Sequence, residues 1–220
     1  DWSSDVCSSD LRKCLVDRKK GEKGICGQTE NLKVARAALH FWEEPCISGD
    51  AGSGAVFFSG CPLHCVFCQN ENIANGTVGK EISLERLVDI FLELQEKRAN
   101  NINLVTPGHF VPQIVKALDQ ARKEGLTLPV VYNTSSYETV DTIKMLEGYV
   151  DIYLPDFKYM SPGLSKKYSH APDYAEVAKA AIAEMVRQTG KAVFVNGDED
   201  NLILRGTIVR HLTLPGCMAD

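Results

Sequence analysis

Cys61, Cys65 and Cys68 stand in the stretch SGCPLHCVFCQN, Ser59 to Asn70, at a Cys-x3-Cys-x2-Cys spacing. Three thiolates in so short a loop can hold three irons of a [4Fe–4S] cube and leave the fourth iron open to a substrate or cofactor. Zinc is the first alternative, but a closed zinc site takes a fourth ligand, usually from a second Cys-rich pair. The nearby histidine, His64, lies inside the Cys61 to Cys65 spacing, where reaching a shared metal is strained. Buried free thiols are the other alternative, although core cysteines do not cluster this way in a loop flanked by Gly60 and Pro62. The spacing favours the cluster.

Elements that could position such a loop follow in order along the chain. From Ala55 onward, apolar run, polar loop and amphipathic helix alternate, the pattern of a parallel α/β protein. Ala55 to Ser59, Ile102 to Val105, Leu128 to Tyr132 and Val150 to Pro155 read as four strands. Ser83 can N-cap a helix with Leu84, Leu87, Val88, Phe91 and Leu92 on one face. Val111, Ile114, Val115, Leu118 and Ala121 form the next stripe, which Gly125 ends. Val140, Ile143 and Leu146 mark a third helix. Tyr174, Val177, Ala178, Ala181, Ile182 and Met185 mark a fourth, ended by Gly190. Ala192 to Val195 and Leu202 to Arg205 flank NGDEDN as a hairpin interruption, which places the fifth parallel strand over Thr207 to Leu214. No helix returns over that strand before the chain stops, so truncation at this end is expected.

In parallel α/β folds, chemistry collects where strands end. Those ends carry the cysteine loop, TPGH at Thr106 to His109, NTSS at Asn133 to Ser136, DFK at Asp156 to Lys158, and Arg210 to Pro215. Five polar or reactive loops are expected to line one mouth.

The 220 residues carry 24 basic and 29 acidic side chains. The first eleven, DWSSDVCSSDL, are the translation of the reverse complement of a common sequencing adapter, so residues 1–11 read as a non-native scar. Removing its Asp1, Asp5 and Asp10 takes the formal net charge from −5 to −2. About two hundred residues remain, enough for one domain. Near-neutral charge without a long basic tract leaves no electrostatic footprint for nucleic acid or an anionic membrane. DRKKGEK, Asp17 to Lys23, reads as a solvated turn. No apolar run approaches the roughly 18 residues of a transmembrane helix, and no signal peptide is visible. A cytoplasmic protein is the expectation. Cys14, Cys26, Cys46, Cys61, Cys65, Cys68 and Cys217 are then better explained by metal binding or redox chemistry than by disulfides.

The Cys-x3-Cys-x2-Cys motif after a first strand, with Phe67 just before the last cysteine, resembles the signature of the radical S-adenosylmethionine superfamily. The runs ARAALHFWEEPCISG, from Ala35 to Gly49, GAVFFSGCPLHCVFCQN and INLVTPGHFVPQI are similar to its pyruvate formate-lyase activating enzyme-like branch. The resemblance covers residues 12–220. It implies an α/β fold, a partial (βα)6 TIM-like barrel truncated after about the fifth strand. Residues 12–50 would be an incomplete cysteine-containing N-terminal extension and 51–220 the core domain. It also implies an oxidoreductase in which Cys61, Cys65 and Cys68 hold a [4Fe–4S] cluster. S-adenosyl-L-methionine would chelate the open iron through its amino and carboxylate groups. One electron from the reduced cluster would cleave the sulfonium C–S bond, giving methionine and a 5′-deoxyadenosyl radical that abstracts hydrogen. The cofactor performs the hard chemistry, so no catalytic side chain beyond the cluster ligands is implied.

The same resemblance assigns cofactor contacts. The backbone near Phe67 would meet adenine, although Phe67 is equally a core residue by type. TPGH occupies the place where many members carry Gly-Gly-Glu against the methionine amino group. With no glutamate there, the contact falls to backbone at Thr106 and Gly108 or to the Thr106 side chain, and His109 reads equally as a helix-start residue. Asn133 and Ser135 match the position that meets the ribose or methionyl part, or else cap the next helix. Asp156 and Lys158 match an Asp-x-Lys opposite the methionine carboxylate, or else form a rim salt bridge; Arg210 is similarly placed. Cys14 and Cys26 resemble the tail of a cysteine-rich preface and can have belonged to a second metal site, whereas Cys46 and Cys217 read as ordinary thiols. The implied partners are a reducing electron donor such as flavodoxin or ferredoxin and a glycyl-radical enzyme as protein substrate. A non-catalytic zinc or Fe–S electron-transfer module is the alternative, and it has no need of a polar rim.

Overall fold

The computed structural model describes residues 11–197, 201–217 and 220; residues 1–10 of the scar reading and 198–200 of the NGDEDN turn lie outside the described residues. The strands are β1 (Lys33–His40), β2 (Ser53–Phe58), β3 (Lys80–Glu81), β4 (Ile102–Val105), β5 (Val130–Thr134), β6 (Ile152–Phe157), β7 (Val193–Phe194), β8 (Ile203–Thr207) and β9 (Arg210–His211). The helices are α1 (Pro45–Ser48), α2 (Glu71–Ala74), α3 (Leu84–Glu96), α4 (Val111–Lys123), α5 (Val140–Lys144), α6 (Pro162–Ser169) and α7 (Tyr174–Thr189). The fold is mixed α/β. One sheet runs β3-β1-β2-β4-β5-β6-β8-β7, with β9 also paired to β6. Its centre, from β2 through β8, is parallel.

Helix ends follow their capping chemistry. The Ser83 hydroxyl accepts from Arg86 N at 3.1 Å to open α3, and Thr139 does the same for α5 through Thr142 N at 3.1 Å. These bonds satisfy amide hydrogens that a helix start leaves over. Gly190, at φ +65°, ends α7.

Strand side chains alternate between the two faces. Val56, Leu104, Val130, Tyr132 and Tyr153 meet α3, α4 and α7 through Leu87, Phe91, Ile114, Leu118 and Met185, all buried. On the other face Val131, Ile152, Leu154 and Ile203 pack with Ile47 from α1. A third cluster, Leu63, Tyr137, Tyr159, Ala171, Tyr174 and Ala178, lies under the cysteine loop. Leu11, the last residue of the expected scar, packs against it as well.

Two features differ from the sequence reading. β1, from the stretch read as an extension, is an antiparallel partner of β2 in the same sheet. The fifth parallel strand starts earlier than Thr207. β7 and β8 form the expected antiparallel pair, but β8 is itself parallel to β6, matching Ile152 to Gly206 and Tyr153 to Thr207. β9 resumes the same register at Asp156 and Arg210. The interruption falls opposite Pro155, which has no amide hydrogen to give the ladder.

Candidate active site

β2 delivers the chain to the cysteine loop through a tightly held corner. Ser59 N donates to Lys33 O at 2.9 Å, and the Ser59 hydroxyl donates to Val78 O. Gly60 has φ +90°, and a Cβ there would run into the Cys26 carbonyl and the Gln28 side chain. Glycine is required at that corner on both counts. His64 also has a positive φ. Its Nε2 donates to Ile25 O at 2.7 Å and its Nδ1 lies 3.3 Å from Asn75 Oδ1, so the ring ties the loop to its neighbours.

Within the loop, Leu63 N donates to Cys61 Sγ at 3.4 Å and the Ser169 hydroxyl to Cys65 Sγ at 3.0 Å. Burial pushes the Cys61 thiol up to about 11, against the pull of the Leu63 and His64 amides, and charge on Cys65 or Cys68 would raise it further. Cys65 is raised by burial too; the Ser169 hydroxyl, the Lys158 ammonium and the Tyr159 hydroxyl oppose this, and Cys68 adds to it. Cys61 and Cys65 therefore sit in a poorly hydrated place, each within reach of charge on Cys68. Among the described residues, no three of His, Cys, Asp and Glu converge as ligands of a single metal ion. Phe67 packs its ring edge-on to Tyr159 and Tyr168, at 6.3 and 6.2 Å.

Four of the residues singled out at strand ends meet in one network. Lys158 Nζ lies 2.6 Å from Asp156 Oδ2. Arg210 Nε donates to Asp156 Oδ1 at 2.8 Å, and its Nη2 to Asn133 Oδ1 at 2.9 Å. The pairing of Asp156 with Arg210 across β6 and β9 sets the first contact. Arg210 Nη1 also reaches Glu43 at 3.1 Å, and Asn133 Nδ2 donates to Glu43 at 3.3 Å. Burial raises the Glu43 carboxyl and Arg210 pulls it down. Nothing in the sequence around FWEEP marked Glu43, which arrives from the turn between β1 and α1. The Lys158 charge felt at Cys65 joins this network to the cysteine loop.

Tyr174, legible only as part of a helix stripe, ties the same strand ends together. Its hydroxyl lies 2.8 Å from both Ser135 O and Asp156 O and accepts from Lys158 N at 2.9 Å. Neither Asn133 nor Ser135 caps α5, since Thr139 takes that role.

Thr106, Gly108 and Ser135 line a separate space with His109, Thr134 and Glu138, under the N-terminal segment that carries Arg12, Cys14 and Cys26. Thr106 has φ +55°, unusual for a β-branched residue. A Cβ on Gly108 would meet the Glu138 carboxylate at 2.7 Å. Glu138 accepts from Tyr132 Oη at 2.6 Å and from Thr134 Oγ1, and burial raises its carboxyl. His109 sits in the turn before α4, as a helix-start residue would. It donates from Nε2 to Ser59 O at 2.7 Å, and burial pushes it down to about 3, so the ring is neutral.

Three thiols on the loop after a parallel strand, with polar strand ends beside them, prompt comparison with known families. The family model described as the Radical SAM superfamily matches residues 55–200, more than half of the chain. The chain belongs to the radical SAM superfamily. It is also 28% identical over 209 residues to an uncharacterised protein of Methanocaldococcus jannaschii, covering 92% of this chain and 55% of that protein. The chain thus spans about half the length of the curated relative it matches. Members of that superfamily typically bind a [4Fe–4S] cluster and S-adenosylmethionine. Among the described residues, no helix is long and apolar enough to cross a membrane.

Proposed function

We propose that Cys61, Cys65 and Cys68 hold a [4Fe–4S] cluster and that the chain reductively cleaves S-adenosylmethionine for hydrogen abstraction. The donor set suits such a cluster. Three thiols lie on one loop, close enough to sense each other's charge, and backbone and hydroxyl donors point at two of the sulfurs. When bound, the cluster held by Cys61, Cys65 and Cys68 would supply the one electron for reductive cleavage of S-adenosylmethionine.

The observation that carries this reading is the cysteine loop itself, whose Cys61 and Cys65 pack in one cluster with Phe157 and Tyr159, so that the Lys158–Asp156 pair, with Lys158 between those two residues in the chain, stands beside it. A cation beside the cysteine loop suits the methionyl carboxylate, with Arg210 and Asn133 next to it. Asp156 and Glu43 hold those cations in place. Thr106, Gly108, Ser135 and the backbone at Phe67 would bound the rest of the cofactor.

Within the superfamily, the reading extends to the pyruvate formate-lyase activating enzyme-like branch, on a partial (βα)6 barrel comprising residues 51–220 with 12–50 as an extension and 1–11 as a non-native leader. The radical's target would be a glycyl-radical enzyme, and the reductant a flavodoxin or ferredoxin, in the cytoplasm.

Anaerobic reconstitution with iron and sulfide, followed by dithionite and S-adenosylmethionine, tests the central reaction. The expected product is 5′-deoxyadenosine, lost to background when Cys61, Cys65 or Cys68 becomes alanine. A chain that assembles the cluster but releases no 5′-deoxyadenosine contradicts the reading and leaves the electron-transfer module in its place.

A further inference from the structure

We propose that Ser169, backed by Tyr159, raises the reduction potential of the cluster through a hydroxyl-to-sulfur hydrogen bond on Cys65. The inference rests on the cluster assignment above and concerns how that cluster is tuned. Ser169 is fully buried at the end of α6, with its Oγ 3.0 Å from Cys65 Sγ and 2.7 Å from Tyr159 Oη. A thiolate has lone pairs and no proton, so once the sulfur binds iron the Ser169 hydrogen must point at it. Ser169 Oγ is then left to accept from Tyr159, and both hydroxyls align in one direction. Donors to cluster sulfurs draw off negative charge and favour the reduced state.

The geometry around this bond is over-determined. Val66 N donates to Tyr168 O at 2.9 Å, which pins the cysteine loop to α6. Arg12 spans the same junction. Its Nε donates to Pro62 O at 2.8 Å, its Nη2 to Ser169 O at 2.9 Å, and its Nη1 to His170 O at 2.6 Å. The ring of Tyr159 is held edge-on to Tyr174 at 5.2 Å. The hydrogen bond on Cys61 comes from the Leu63 backbone, which side-chain changes leave in place. That on Cys65 comes from the Ser169 side chain, with the Tyr159 hydroxyl acting on the same sulfur behind it, so both can be changed without touching the loop backbone. Ser169 is accordingly a positioning residue for charge on the cluster, with no contact to the reacting carbon required.

An EPR-monitored redox titration of the reconstituted chain reads the effect directly. Ser169→Ala is expected to keep its iron and sulfide content and to hold about tenfold less reduced cluster relative to oxidised at a fixed potential, which is about 59 mV for a one-electron couple. Ser169→Thr should restore the wild-type midpoint, and Tyr159→Phe should shift it the same way by less. An unchanged midpoint in Ser169→Ala, or a threonine variant displaced as far as the alanine one, overturns the proposal. If Ser169→Ala assembles no cluster, Tyr159→Phe decides, and a wild-type midpoint there overturns it. A wild-type chain that assembles no cluster overturns both this inference and the functional reading. One that assembles the cluster without cleaving S-adenosylmethionine overturns the functional reading alone.

Discussion

The cysteine loop and the charged strand ends adjoin each other, yet they solve opposite problems. At the strand ends, Asp156, Lys158, Arg210, Glu43 and Asn133 already satisfy one another through contacts of 2.6 to 3.3 Å. Around the loop, three thiols are gathered, and burial disfavours the charged form of two of them, Cys61 and Cys65. Becoming thiolates there calls for cationic partners such as iron. A network complete in itself can orient a ligand without rearranging, whereas a dry thiol cluster gains most from the metal it binds. Geometry is therefore the vulnerable property of the loop, and charge balance that of the strand ends.

That contrast can be broken from either side. The largest effect is expected from Gly60→Ala, which adds a Cβ at φ +90° against the Cys26 carbonyl. Strain and overpacking together cost about 2–5 kcal/mol, and iron content after reconstitution should collapse while the strand-end network keeps its partners. Asp156→Asn should do the reverse. It leaves Lys158 and Arg210 without their shared carboxylate, at a cost of about 1–2 kcal/mol, since these groups are partly exposed and screened. Iron content should hold, while S-adenosylmethionine binding by calorimetry weakens about tenfold, the equivalent of about 1.4 kcal/mol. If both variants lose iron equally, the two regions are a single unit and the contrast fails.

A smaller effect sharpens the comparison by pH. His109 hangs from Ser59, at the root of the cysteine loop, with a folded value of about 3 against an ordinary 6.5. As pH falls below about 6.5 the unfolded chain takes up this proton first, so stability is complete above that pH and declines towards pH 3. Between pH 6.5 and 5 the loss is about 1–2 kcal/mol. Denaturant unfolding of His109→Gln at both pH values should show that increment removed; an unchanged slope would place the acid sensitivity elsewhere.

The parallel strands were legible because burial on both faces turns them into apolar runs such as INLV and VDIYLP. The cysteines were legible by spacing, and Asn133, Asp156, Lys158 and Arg210 by standing where strands end. What escaped depends on contacts distant in sequence. β1 is rich in alanine and mostly half-buried, so neither β-propensity nor alternation marks it before β2 pairs with it. Glu43 joins Arg210 only when that pairing swings the FWEEP turn over the strand ends. Tyr174 announces its apolar ring by helical spacing, but its hydroxyl finds Ser135 and Asp156 across the fold. Ser169 carries no local signal at all, because its partner Cys65 is 104 residues away. Asn133 and Thr134, adjacent on β5, point to opposite sides, so Asn133 joins Arg210 while Thr134 lines, with Thr106 and Gly108, the space beside Glu138.

The most direct test of the central claim is the EPR spectrum of the dithionite-reduced, reconstituted chain before and after S-adenosylmethionine is added. A cluster with one iron open beside Lys158 and Arg210 predicts a shift in g-values on addition, weakened in Asp156→Asn. A spectrum that S-adenosylmethionine leaves unchanged, with the cluster fully assembled, would contradict it.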